Sequence, residues 1–192
     1  MTEPSLDLAG PNPWQTRSSA VLFDNGRLRL RDDAVIQPDG QPGSYTYVEV
    51  PWPVVGIVPV ADDGRVHLVR QWRYPWGCNS WEIPAGHGEV GEESLHAAQR
   101  ELAEEVGVQA AEWEPLGQVF SSAAVRAHYH LFLARGLAPA GAGYVRDGAE
   151  DDLQTSALPF HEALDAAADG RIVHAFSIVG LFRAARRLGV GR

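Results

Sequence analysis

Three glutamates, Glu101, Glu104 and Glu105, stand close behind Arg100. On a helix, Glu101 and Glu105 lie one turn apart and project from one face, with Glu104 beside them. Like charges at that spacing repel. A solvated acidic face tolerates the repulsion, and a bound cation offsets it. Carboxylate oxygens on a rigid helix are hard ligands that suit Mg²⁺ or Mn²⁺, and such an ion also recruits substrate phosphates. Arg100 can order these carboxylates through forked hydrogen bonds. The chemistry open to the group is therefore metal-assisted work on phosphates.

The neighbouring residues supply a loop and a helix to hold it. Gly86, Gly88 and Gly91 let the backbone approach a ligand closely. Glu92 and Glu93 suit the positive end of a helix, and Ser94 is its expected N-cap. Leu95, Ala98 and Leu102 form an apolar stripe at i, i+3 and i+7. Gly107 stands where such a helix would end in a left-handed cap.

From Gly86 to Val108 the pattern is G-x5-E-x7-R-E-(apolar)-x-E-E-x-G-(apolar). It resembles the Nudix box at every defined position. The resemblance implies a pyrophosphohydrolase that cleaves a nucleoside diphosphate linked to another group, with a divalent metal. It implies Glu101 and Glu105 as the main metal ligands, Glu104 as an accessory ligand, and the carbonyl of Ala85 as a further one. Glu92 and Arg100 would hold loop and helix together. The implied fold is α/β: an α/β/α sandwich with a mixed sheet, preceded by an N-terminal antiparallel β-extension.

Composition narrows the partners. A chain of 192 residues with 45% hydrophobic content can build one good core. Its net charge of −9 argues against a nucleic-acid-binding surface. An anionic substrate then needs metal and local arginines to reverse the sign at the site. Cys78 is the single cysteine, which fits a reducing cytoplasm. The first residues lack a basic region and an apolar signal core. The longest apolar run, around 50–61, is broken by Pro51, Pro53 and Pro59 and cannot span a membrane.

In chain order, a Pro-rich arm precedes a hairpin signal at Asn25-Gly26, a turn cluster at 39–43 and a strand from Tyr45 to Val50. Residues 1–53 are expected to form the arm and extension, and 54–192 the catalytic domain. In that domain Val54–Val60 and Val66–Gln71 read as strands before the box. Trp113–Phe120, Tyr129–Ala134 and Leu153–Leu158 read as strands after it, with a flexible loop over 135–149. Pro159 opens a helix to about Ala168, and a second helix covers Ala175–Leu188.

Other segments resemble the ADP-ribose pyrophosphatase branch of the family. In that branch a Q-x-R-x-P segment precedes the box, and the resemblance makes Arg73 a substrate contact. Its other reading is a structural arginine paired with Glu82. Trp81-Glu-Ile-Pro-Ala-Gly86 resembles the strand and turn entering the box. The resemblance also implies that the extension is exchanged between subunits of a homodimer. Trp52 is then the base-stacking candidate at the subunit boundary, although tryptophans also fill cores and interfaces. His87 lines the phosphate path or is an exposed loop histidine. The branch usually carries Ser-Pro-Gly and then an acid after the box, whereas this chain has Ser121-Ser122-Ala123 and then Arg126. An arginine there suits a more anionic ligand end. In this family a downstream acidic loop supplies a catalytic carboxylate, and Glu150 in Glu150-Asp151-Asp152 is the candidate. The expected activity is Mg²⁺-dependent hydrolysis of ADP-ribose or a related nucleoside diphosphate sugar. GDP-mannose, NADH, CoA and dinucleoside polyphosphates are alternative substrates, and a non-catalytic sensor is the alternative class.

Overall fold

A computed structural model describes residues 10–141 and 151–190. At its centre is the strand β4, Val54–Pro59, whose six residues are all buried. The side chains of β4 alternate between two cores. Val55 and Ile57 pack with Ala97, Ala98 and Leu102 of the helix α1, Ser94–Val106. Val54 and Val58 pack with Phe160, Ala163, Phe176 and Leu181 of two later helices, α2 (Phe160–Ala168) and α3 (Ala175–Leu188). Burying one such aliphatic side chain stabilises by roughly 1.5–3 kcal/mol relative to exposure. A sheet fed from both faces in this way is the middle layer of an α/β/α sandwich.

That sheet is mixed, as expected. Its order is β7 (Ala85–His87), β4, β10 (Tyr129–Pro139) and β8 (Val108–Val119). β10 runs parallel to β4, with Val54 opposite Tyr129, and both outer pairings are antiparallel. A second sheet joins β11 (Gln154–Pro159), β5 (Arg65–Arg73) and β6 (Cys78–Glu82). The extension forms a third, from β1 (Gln15–Asp24), β2 (Arg29–Ile36) and β3 (Pro42–Glu49), closed by the two-residue β9 (Val125–Arg126). The β1–β2 hairpin turns at Asn25-Gly26, as the turn chemistry requires.

Three local boundaries differ from the sequence reading. Glu93, not Ser94, is the N-cap of α1, because the Glu93 carbonyl accepts the first helical bond from Ala97 N–H at 3.0 Å. Pro159 is likewise the N-cap of α2 rather than its first residue. Residues 135–139 are strand, not loop. β8 starts directly after Gly107 and offers a long edge, on which Leu137, Ala138 and Pro139 pair with Ala110, Gln109 and Val108. Gly107 itself ends α1 at φ +76° as expected, with its N–H on the Ala103 carbonyl at 3.0 Å.

β1 forms the outer edge of the extension, and all ten of its residues are exposed. Val21, Leu22 and Phe23 stand together there at 50–59% exposure, with a register irregularity between Val21 and Phe23. Among the described residues no helix is long and apolar enough to cross a membrane.

Candidate active site

The box folds as a short strand, a loop and a helix, and Arg100 ties the three together. Its Nη2 donates to the His87 carbonyl at 2.9 Å. Nη2 and Nε bond the two Glu92 oxygens at 3.0 and 3.2 Å. Nη1 lies 2.9 Å from both Glu101 Oε1 and Glu104 Oε2. The hydrogen bond to Glu92, with support from Glu101 and Glu104, pushes the guanidinium pKa above its already high ordinary value despite desolvation. The same contact is the main reason that the Glu92 carboxyl titrates below the usual range. Glu92 also accepts from Glu89 N–H at 2.9 Å, which pins the loop at its turn.

The other two carboxylates face the strand. Glu101 and Glu105 are buried, at 6% and 3% exposure. Glu105 Oε2 accepts from Ala85 N–H at 2.9 Å. Gly86 lies flat against Glu101, and a Cβ at that position would overlap its carboxylate. This close approach explains why the pattern begins with glycine.

Among the described residues no three His, Cys, Asp or Glu side chains converge tightly enough to ligate an ion by themselves. A guanidinium stands between Glu101 and Glu104 instead. The donor chemistry fits a hard divalent cation nonetheless. Glu101 and Glu105, both held out of water, meet the strand at Ala85 and Gly86, Glu104 shares Arg100 Nη1 with Glu101, and these side-chain donors are all oxygen.

Several other expected residues gather around this turn. Gly88 N–H bonds the Pro53 carbonyl at 2.7 Å, and the Trp52 indole N–H donates to the Gly26 carbonyl at 3.1 Å. These bonds bring the tip of the β1–β2 hairpin, Trp52 and the box loop to one place. His87 reaches solvent at this spot but is closely surrounded. Desolvation, and then the charges of Arg27 and Arg73, lower its pKa, so its imidazole is neutral at pH 7. Local arginines thus do supply positive potential within an acidic protein. Arg27 escaped the sequence reading, because nothing in a hairpin turn signals which distant loop it will meet.

Arg73 makes the structural pair anticipated as one of its two readings. Its Nε and Nη2 form a fork on Glu82, at 2.8 and 2.7 Å. Glu82 is 1% exposed. Burial by itself would raise this carboxyl, but hydrogen bonds from His174 and Arg73 outweigh it and lower the pKa to about 2. His174 Nδ1 lies 3.0 Å from Glu82 Oε2. No spacing in the sequence connects position 174 with position 82.

Arg126 stands apart from this group. It lies on β9, 3.5 Å from Glu49, with 65% of its side chain exposed. It lines an open cavity of about 620 Å³ together with Phe120, Ser121, Ser122 and His128. The cavity opens at the same end of the central sheet as the box, since Val54 N–H bonds the His128 carbonyl while Val54 pairs with His87. Glu150 lies outside the described residues. Asp152, two positions later, accepts from Trp72 N–H at 2.9 Å, which fixes the end of the acidic stretch beside Arg73.

Comparison with known proteins places this geometry. A family profile described as the NUDIX domain matches residues 50–176. An ADP-ribose pyrophosphatase of Mycobacterium tuberculosis is 34% identical over 88% of this chain and 81% of its own length. An ADP-ribose pyrophosphatase of Bacillus subtilis is 32% identical over 64% of this chain and 66% of its own. The crystal structure of an ADP compounds hydrolase superposes with a TM-score of 0.81, covering 94% of this chain and 97% of its own at 18% identity, a likeness of fold.

Proposed function

This chain belongs to the Nudix hydrolase family, and from that premise we propose that it hydrolyses the diphosphate of ADP-ribose or a related nucleoside diphosphate sugar. The observation that carries this reading is the convergence of buried Glu101 and Glu105 on the Ala85–Gly86 turn. Glu101, Glu105, Glu104 and the Ala85 carbonyl would hold Mg²⁺ or Mn²⁺. When bound, that ion polarises the phosphoryl oxygens and lowers the pKa of its water.

The chain's own residues do the remaining work. Arg73 and His87 face the diphosphate, and Arg27 adds positive charge beside them. Arg100 keeps the glutamate-bearing face of α1 in register with the loop. Trp52 offers its ring to the base. Glu150 accepts the proton of the attacking water. Water adds to one phosphorus as the bridging P–O bond breaks, which yields AMP and ribose 5-phosphate from ADP-ribose.

The test is a screen of the purified protein with Mg²⁺ against ADP-ribose, GDP-mannose, NADH, CoA and dinucleoside polyphosphates. ADP-ribose is expected to give the highest kcat/KM. A second reading rests on Arg126 and its cavity, where the branch usually places an acid: a substrate with a more anionic end. Faster turnover of a dinucleoside polyphosphate than of ADP-ribose favours that reading. No turnover of any of these substrates, combined with tight binding of ADP-ribose, points to a sensor.

We also propose a cytoplasmic homodimer built through residues 1–53. An exposed edge strand carrying Val21, Leu22 and Phe23 is a surface that a second copy would cover. Light scattering at micromolar concentration is expected to give twice the 20.9 kDa chain mass. A monomer mass there removes the dimer.

A further inference from the structure

We propose that His174 is a positioning residue for substrate binding, acting through Glu82 to fix the guanidinium of Arg73. The inference rests on the reading of Arg73 as a substrate contact. His174 occupies the N-cap of α3, a position usually filled by a side chain that accepts a helix N–H. It makes no such bond. Its ring turns instead toward β6, where Nδ1 meets Glu82 Oε2 at 3.0 Å and Ser177 Oγ at 2.9 Å. Ser177 Oγ accepts in turn from Ile83 N–H at 2.9 Å. The start of α3 therefore grips two consecutive residues of the strand end that leads to the box.

The chemistry gives the contacts of Glu82 a direction. An ionised carboxylate only accepts, so Nδ1 carries the proton and donates to Glu82. Oε2 then receives His174 Nδ1 and Arg73 Nη2, while Oε1 receives Arg73 Nε. The last torsion of a glutamate is broad and soft. With Arg73 as its only donor, the carboxylate and the guanidinium could turn together. A second donor, anchored on another element, fixes the carboxylate plane and with it the fork. With the imidazole in place, water is kept from the carboxylate, because the Glu82 side chain is 2% exposed. The imidazole is itself held between the rings of Trp76 and Phe176, with centroids 5.8 and 6.2 Å away. Arg73, at the end of β5, is one-third exposed. It is the member of the chain His174–Glu82–Arg73 that presents to a ligand.

Steady-state kinetics with ADP-ribose and Mg²⁺ on the full-length protein test this. His174→Ala is expected to raise KM roughly tenfold with little change in kcat, below the about 10²-fold that a 1 Å misplacement can cost. His174→Asn places an N–H where Nδ1 stands and is expected to restore wild-type KM. His174→Gln places its N–H near the Nε2 position and is expected to keep the raised value. In an Arg73→Ala background, which has a raised KM of its own, His174→Ala should add nothing further. An unchanged KM in His174→Ala, equal KM values for the Asn and Gln variants, or the same rise in both backgrounds overturns the proposal. An unchanged KM in Arg73→Ala alone removes the substrate role of Arg73, and the proposal falls with it. The Asn and Gln pair decides the matter even if the alanine variant fails to fold.

Discussion

Glu105→Gln is expected to abolish turnover nearly completely while the fold survives. The structure makes this substitution a clean one. Glu105 Oε2 accepts a hydrogen bond from Ala85 N–H, and the glutamine carbonyl can accept the same bond. What disappears is one buried negative charge beside Glu101 and Glu104, and with it one proposed hard metal ligand. Removing a partner that merely orients a metal ligand costs about 10–100-fold. Loss of the ligand itself should exceed that. Thermal unfolding of the metal-free variant should occur at or slightly above the wild-type midpoint, because like charges on one helix face no longer repel. AMP release under saturating Mg²⁺ is the measurement, and full turnover there overturns the metal assignment.

Glu150→Gln should lower kcat by roughly 10²–10⁴-fold, the usual contribution of a general base, with little change in KM. In the proposed site Glu101 and Glu105 would be committed to metal, so neither would be available to accept the proton of the attacking water. A carboxylate from outside the box is needed. Asp152 is already engaged by the Trp72 backbone N–H at 2.9 Å, which makes it an anchor beside Arg73. Asparagine can accept the same bond, so Asp152→Asn should be mild. Asp151 is exposed and should also tolerate the change. Single-turnover kinetics on the three variants separate the roles. Wild-type kcat in Glu150→Gln with loss in an aspartate variant moves the base to that aspartate. Wild-type kcat in all three removes the acidic stretch from catalysis.

The sequence carried the box and its immediate supports because their geometry is local. Glu101 and Glu105 share a face by helical periodicity, Gly107 ends the helix by its backbone freedom, and Gly86 precedes the turn at a fixed distance. The same locality exposed the strand β4 as a short apolar segment and the hairpin at Asn25-Gly26. What stayed hidden depends on contacts between distant segments. Nothing at position 174 announces a partner at position 82, nor does Arg27 point to His87. The strand at 135–139 is hidden for a related reason: glycine and alanine there look like loop, yet the long edge of β8 supplies partners that override the local preference. The cap falls one residue before Ser94 because a cap is defined by which carbonyl takes the first bond, and that is a property of backbone geometry.

The parallel seam between Val54 and Tyr129 has a consequence for how the chain is made. On the ribosome β4 emerges long before β10 does, with the box helix, β8 and β9 still to come between them. Closing so long a loop costs entropy before the seam returns anything, and non-local pairings of this kind slow folding. Until then the nascent chain displays a strand whose every residue is destined for the interior. Such a strand is an aggregation hazard in any stalled or truncated product. The early hairpins of the extension and β5–β6 can form locally in the meantime. The central sheet, and the carboxylates that α1 holds against it, must wait for the second half of the chain.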